Sequence, residues 1–190
     1  QIANCDVGQG DAMVINLKQH RAIVIDVGPD PQLIDRCLRQ LGVREIPLLI
    51  LTHVHADHVG GLAGAKKNRI VGTTWYGDVF AGTRAKIENL EIEVKWPDSS
   101  QGLTPNNSSI AVLISSPDFT LFAAGDIEPP AQSHLVSRIG AVDIYKVAHH
   151  GSRYQDFDLM RELSPSVAVI SVGTGNSYGH PAPSTISALT

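Results

Sequence analysis

Leu90, Ile92, Val94 and Trp96 are apolar and the residues between them polar, the two-residue period of a strand with one buried face. Residues 12–17 and 21–27 are β-rich runs split by Lys18-Gln19-His20, which predicts a hairpin. Asp30 suits a helix cap and Pro31 a first turn. Ile34, Cys37, Leu38 and Leu41 then recur at helical spacing until Gly42 stops the pattern. Residues 47–51 are an all-apolar run, as in a strand buried on both faces. Strand-like pieces recur from 70 to 96, and residues 110–114 and 119–124 flank the turn Ser116-Pro117-Asp118. Residues 59–65, 129–139 and 156–163 read as helices, and 142–148 and 167–172 as strands. Each helix falls between strands. The pattern predicts an α/β chain with two mainly antiparallel sheets facing each other and helices on the outer sides.

Composition narrows the class. The chain has 190 residues, the size of a single domain spanning 1–190. With 43% hydrophobic and 18% charged residues it can bury a core, which excludes disorder. No apolar run reaches membrane-spanning length. Fifteen Lys and Arg against 19 Asp and Glu leave a net charge of −4, which argues against a standalone basic nucleic-acid binder. Cys5 and Cys37 both sit in apolar patterns and read as core thiols. The chain opens on Gln1 already inside an apolar run, as expected of a domain cut from a longer protein.

The chemistry concentrates at strand ends. Thr52-His53-Val54-His55-Ala56-Asp57-His58 directly follows the apolar run. In an extended segment His53 and His55 face the same side, and Asp57 and His58 fall where the chain turns into the next helix. Three imidazoles and a carboxylate within six residues suit Zn²⁺, or Mn²⁺ as oxygen donors increase. Asp26, Asp126 and the pair His149-His150 stand at the ends of three further strands. Four strand ends carrying Asp or His at one sheet edge are the usual build of a metal site. Asp11 lies in Gly8-Gln9-Gly10-Asp11, a tight loop expected beside the site. His180, in Gly179-His180-Pro181, can protonate a leaving group, contact a phosphate or merely cap its loop. Ser152 can offer its hydroxyl to a phosphate oxygen or serve a plain turn, and Lys66, Lys67 and Arg69 can track a phosphate backbone or form a solvated turn.

His53-x-His55-x-Asp57-His58, together with Asp26, Asp126 and His149, resembles the metallo-β-lactamase fold. A narrower set of motifs resembles the metallo-β-lactamase-like domain of the ComEC competence DNA-uptake channels. These are Asp6-Val7-Gly8-Gln9-Gly10-Asp11-Ala12, Asp26-Val27-Gly28-Pro29, Asn107-Ser108-Ser109, Gly125-Asp126-Ile127-Glu128, Lys146-Val147-Ala148-His149-His150-Gly151-Ser152 and Tyr178-Gly179-His180-Pro181. The resemblance implies a four-layer αβ/βα sandwich with one or two divalent ions, Mn²⁺ favoured and Zn²⁺ possible. By position, His53 and His55 would hold a first ion, Asp57, His58 and His149 a second, and Asp126 would bridge. Asp26 would brace the histidine loop. His150 would remain a hydrogen-bonding or substrate-contacting neighbour, although the sequence does not choose between it and His149. The superfamily's further histidine for the first ion has no counterpart, because residues 59–125 contain none. Asn107 and Ser108 stand near its place and are weaker donors, which suits a harder ion such as Mn²⁺.

The function implied is hydrolysis of DNA, the non-transported strand in particular, by metal-activated water, with Asp57, His150 and His180 as the catalytic candidates. The expected setting is a soluble domain of a bacterial inner-membrane protein on the extracytoplasmic side, with DNA and the channel part of the same parent chain as partners. Two alternatives stand beside it. One is a small-molecule phosphodiesterase, such as a phosphorylcholine esterase, or a thioester hydrolase. The other is a non-catalytic, metal-stabilised domain that guides DNA.

Overall fold

The computed structural model describes residues 1–190, which fold as two compact units. The first comprises Gln1–Gly77 with Ser171–Asn176, the second Asp78–Ile170 with Ser177–Thr190.

The first unit is a five-stranded sheet in the order β1 (Ile2–Asn4), β2 (Met13–Asn16), β3 (Arg21–Ile25), β4 (Glu45–Ile50) and β5 (Ile70–Trp75). Its first hairpin turns through Gln19 and His20, both at positive φ, which matches the right-handed twist of the strands. Helix α1 (Pro31–Gln40) begins as the sequence predicts: the Asp30 side chain accepts from the Gln32 N–H at 2.7 Å, and Pro31 occupies the first turn. Ile34 and Leu38 pack its apolar stripe against Val14, Val24 and Leu49 of the sheet. Leu48, Leu49, Ile50 and Leu51 are all buried, as the run 47–51 predicts. The helix expected over 59–65 is two short ones, α2 (Ala56–Val59) and α3 (Leu62–Lys66), separated at Gly60-Gly61. A Cβ on Gly61 would lie 2.0 Å from the Val27 carbonyl oxygen, so only glycine lets α3 approach the end of β3.

The second unit is a six-stranded sheet in the order β11-β10-β9-β8-β7-β6. Its strands are β6 (Arg84–Ile87), β7 (Leu90–Trp96), β8 (Ala111–Ser115), β9 (Thr120–Ala123), β10 (Ile144–Lys146) and β11 (Val167–Val169). Helices α4 (Pro129–Ser133), α5 (Phe157–Leu163) and α6 (Pro183–Leu189) accompany it. Leu159, Met160 and Leu163 of α5 join Phe122, Tyr145 and Val147 in its core. Burial pushes the Tyr145 phenol up to about 12. The helix expected over 129–139 is regular only through Ser133, and α6 has no counterpart among the predicted elements.

Three expectations are corrected. The sheets are mixed rather than mainly antiparallel: β3-β4-β5 and β9-β10-β11 pair in parallel, because α1, the α2–α3 segment, α4 and α5 serve as crossovers between them. Cys5 and Cys37 are not thiols but form a disulfide, with Cα atoms 5.9 Å apart and 32 residues of separation. The apolar stripe of α1 turns Cys37 toward the segment after β1, a proximity the sequence spacing hides. Arg69 is not a phosphate contact. Its side chain is 2% exposed, donating to Asp35 Oδ1 at 3.0 Å and to the carbonyls of Val43 and Gly64. Lys67 is drawn to the same carboxylate at 3.5 Å, which leaves Lys66 as the exposed member of the trio with no ion pair of this kind.

Candidate metal centre

In the first unit the end of β4 delivers the histidine segment and the end of β3 delivers its brace. Asp26 sits at positive φ, which turns its carboxylate back under the loop. Oδ1 accepts from the Thr52 N–H at 2.7 Å, and Oδ2 accepts from the Thr52 hydroxyl at 2.8 Å and faces His58 Nδ1 at 2.8 Å. A carboxylate that receives the Nδ1 proton of His58 directs its Nε2 as the coordinating nitrogen. Thr52 extends the same logic. Its hydroxyl donates to Asp26, so its oxygen accepts from His53 Nδ1 at 3.1 Å, and Nε2 becomes the coordinating atom of His53 as well. Burial pushes the Asp26 carboxyl above its ordinary range, while the charge and hydrogen bond of His58 and the Thr52 amide pull it down.

The donor atoms are spaced for shared ions. His53 Nε2 lies 3.0 Å from His55 Nδ1, and His58 Nε2 lies 3.8 Å from Asp57 Oδ2. Two donors each about 2.0–2.2 Å from one ion stand up to about 4 Å apart, so both pairs fit a divalent metal. Asp11 is buried, its amide donating to the Asp57 carbonyl at 3.1 Å. Gly10 permits this approach, because a Cβ there would fall 2.3 Å from that carbonyl oxygen.

In the second unit Asp126 follows β9 and is held by the loop before β8. Its amide donates to Ser109 Oγ at 3.0 Å, and Ser109 in turn donates to the Asn106 carbonyl at 2.7 Å. Asn107 Oδ1 accepts from the Glu128 amide at 2.9 Å, and the Asn107 carbonyl accepts from the Trp96 indole. Asn107 therefore fastens the loop that carries Asp126, while Ser108 donates to the Pro105 carbonyl. Both sit where the sequence reading placed substitute ligands, with hydrogen-bonding roles of this structural kind.

After β10, His149, His150 and Gly151 all adopt positive φ, a left-handed turn that separates the two imidazoles. The structure puts His150, rather than His149, beside Asp126. Its Nε2 lies 3.6 Å from Asp126 Oδ2, and both side chains are 3% exposed. His149 is half-buried, with Nδ1 3.4 Å from Glu128 Oε1. Gln155 donates to the carbonyls of Ala148 and Ser152, and Thr185 to that of Ser152, tying the turn to α5 and α6. Ser152 is buried, and its hydroxyl accepts from the Tyr154 amide, a turn role. The His180 ring stands 5.4 Å from that of His149 and 6.4 Å from that of His150. Burial, then the charges of His149 and His150, lower its pKa.

Asp11 and His58 on the first unit, and Asp126 and His150 on the second, are buried groups able to offer metal ligands. Thr52, Ser109 and Glu128 are the residues the sequence reading missed. All three were legible only as members of sequence motifs, with no signal along the chain for the contacts they make.

Strand-end imidazoles and carboxylates on two sheets of this topology define the class: the chain has the metallo-β-lactamase fold, and the family model described as the metallo-β-lactamase superfamily matches residues 5–81. Among solved structures, a mutant of the HARLDQ-motif metallo-β-lactamase from Cronobacter sakazakii superposes with a TM-score of 0.60. It is 18% identical, covering 84% of this chain and 80% of that one, and shares the fold. Among curated proteins the chain is similar to ComE operon protein 3 of Bacillus subtilis, 25% identical over 222 residues, 93% of this chain and 29% of that protein. It is also similar to competence protein ComA of Neisseria gonorrhoeae, 25% identical over 196 residues, 93% of this chain and 27% of that protein. The chain thus spans under a third of the length of these relatives. No helix of the chain is long and apolar enough to cross a membrane.

Proposed function

We propose that this domain is a metal-dependent phosphodiesterase acting on DNA, within a longer protein that handles DNA during competence. The observation that carries the reading is the Asp26–Thr52 brace, which sets two buried imidazoles with Nε2 as the coordinating atom. The curated competence relatives, aligned over 93% of the chain, support DNA as the substrate class. In this reading His58 with Asp11 or Asp57 on the first unit, and Asp126 with His150 on the second, are ligands for divalent metal, and His53 and His55 hold an ion more weakly. When bound, such ions supply a hydroxide at neutral pH and charge stabilisation for an in-line displacement at phosphorus. Asp26, Thr52 and Ser109 orient the ligands, and His180 contacts a phosphate oxygen of the substrate. The Cys5–Cys37 disulfide supports an oxidising, extracytoplasmic compartment.

One feature favours a single tight site. Asn107 commits one lone pair of its side-chain oxygen to the Glu128 amide, which makes it a weaker donor than the missing histidine. Labelled single- and double-stranded DNA incubated with Mn²⁺, Mg²⁺, Zn²⁺ or a chelator tests the function. Cleavage that needs Mn²⁺ and falls by about 100-fold or more in Asp126→Ala is expected. Undiminished cleavage by a folded Asp126→Ala protein refutes the assignment.

A further inference from the structure

The second unit carries an open cavity of about 270 Å³ lined by Arg153, Tyr178, Gly179, His180 and Ser184, which none of the chemistry above uses except through His180. Tyr178 is 68% exposed, among the most exposed large apolar side chains of the chain, so burial of its ring contributes little to the fold. Its ring stands 6.0 Å from that of His180, which stands 6.4 Å from that of His150, itself 3.6 Å from Asp126. Aromatic rings therefore run from the buried ligand pair out to solvent. Arg153, also exposed, follows directly on the His149–Ser152 turn and lines the same cavity. The volume lies just below the range of about 300–1,000 Å³ usual for small-molecule pockets, which suits one unit of an extended polymer.

We propose that this cavity is a subsite for single-stranded DNA, in which Tyr178 stacks on one base and Arg153 binds an adjoining phosphate. The proposal rests on the phosphodiesterase reading for its place beside the reacting phosphate, but not for the binding itself. An exposed ring with a guanidinium beside it is how single strands are held without sequence preference, because every base has a face to stack. A duplex keeps its base faces stacked on one another and offers none to Tyr178.

The test is fluorescence anisotropy of labelled oligothymidylate with the whole chain in a chelator, so that nothing is cleaved. Tyr178→Ala is expected to weaken binding by about 5- to 150-fold, the equivalent of stacking one base, and Tyr178→Phe to stay within about twofold. Tyr76→Ala, an exposed tyrosine of the first unit, serves as the control and is expected to bind as the parent does. On an oligomer with abasic sites Tyr178→Ala should cost nothing, whereas Arg153→Ala should weaken both oligomers. Equal binding of oligothymidylate by Tyr178→Ala and the parent overturns the proposal, as does an equal loss on the abasic oligomer. Hydrolysis of bis(p-nitrophenyl) phosphate by the unsubstituted protein with Mn²⁺ reports on the function separately. Hydrolysis with Tyr178-independent DNA binding sinks the subsite alone. Tyr178-dependent binding without hydrolysis of any diester supports the subsite and sinks the phosphodiesterase.

Discussion

Replacing Asp26 with asparagine isolates what the carboxylate does from the space it fills. The amide of Asp26→Asn would keep an oxygen toward the Thr52 N–H, now 2.7 Å from Oδ1, but place an NH₂ group where Oδ2 accepts from Thr52 Oγ1 and faces His58 Nδ1, each at 2.8 Å. That NH₂ can only donate, so His58 Nδ1 must accept and its proton moves to Nε2. The Thr52 hydroxyl, now an acceptor from the NH₂, turns to donate to His53 Nδ1, and that ring changes tautomer as well. Both imidazoles then present a proton where a lone pair is needed. Losing such an orienting partner lowers metal affinity by about 10- to 100-fold, or about 1.4–2.7 kcal/mol. Stability falls less. Three contacts each weaken by roughly 1 kcal/mol when a charged acceptor becomes a neutral amide. Relief of a buried charge, the same burial that pushes this carboxyl up, offsets part of that loss and leaves about 1–3 kcal/mol. Asp26→Ala, which abandons all three donors, should cost about 3–5 kcal/mol. Calorimetric titration with Zn²⁺ and Mn²⁺, with long-range ¹H–¹⁵N spectra of the imidazoles, reads both effects. Metal binding by Asp26→Asn within about threefold of the parent, with Nε2 still unprotonated, refutes the reasoning.

Removing the disulfide as Cys5→Ala/Cys37→Ala opens a loop of 32 residues of separation and should cost about 3–4 kcal/mol on chain-entropy grounds. That is a drop of roughly 6–16 °C in Tm; a calorimetric shift below about 2 °C contradicts it. At Asp35, burial alone would raise the carboxyl pKa, but the hydrogen bond and charge of Arg69, then Lys67 and Arg39, outweigh it and hold it below the carboxylate range. A lowered folded pKa gives stability that is present above the unfolded value, near pH 3.9, and is lost as pH falls through the folded one. Asp35→Asn should therefore lose about 2–4 kcal/mol in urea unfolding at pH 7, with the gap narrowing below about pH 4. An equal gap at pH 7 and pH 3 would show that the charge is not what Asp35 contributes.

Much of the architecture is local and periodic, and so was legible along the chain. The Asp30-Pro31 start of α1, the two-residue alternation of β7 and the hairpins at Lys18-Gln19-His20 and Ser116-Pro117-Asp118 depend on neighbours a few residues apart. The regular part of the segment after Pro129 ends at Ser133 despite its apolar spacing, and His134 instead stacks its ring on Trp96, 5.5 Å between centroids. Strand direction was not legible, because parallel pairing through α1 and α5 depends on crossovers rather than on the pattern within a strand.

By itself, the sequence determined the donor types and their positions at strand ends: His53, His55, Asp57, His58, Asp126 and the His149-His150 pair. An extended run ending in metal-binding side chains is written in residue order. Tertiary structure alone decided how those side chains are held and which of two neighbours faces inward. Asp26 meets Thr52 and His58 across 26 and 32 residues, and Ser109 meets Asp126 across 17. His150 takes the place beside Asp126 because three successive left-handed residues, His149, His150 and Gly151, swing its ring under the turn and leave His149 toward Glu128. Cys5 and Cys37 became a disulfide, and Arg69 a buried clasp on Asp35, for the same reason. Hydrogen bonds and covalent links select partners by distance in space, and spacing along the chain carries no record of it.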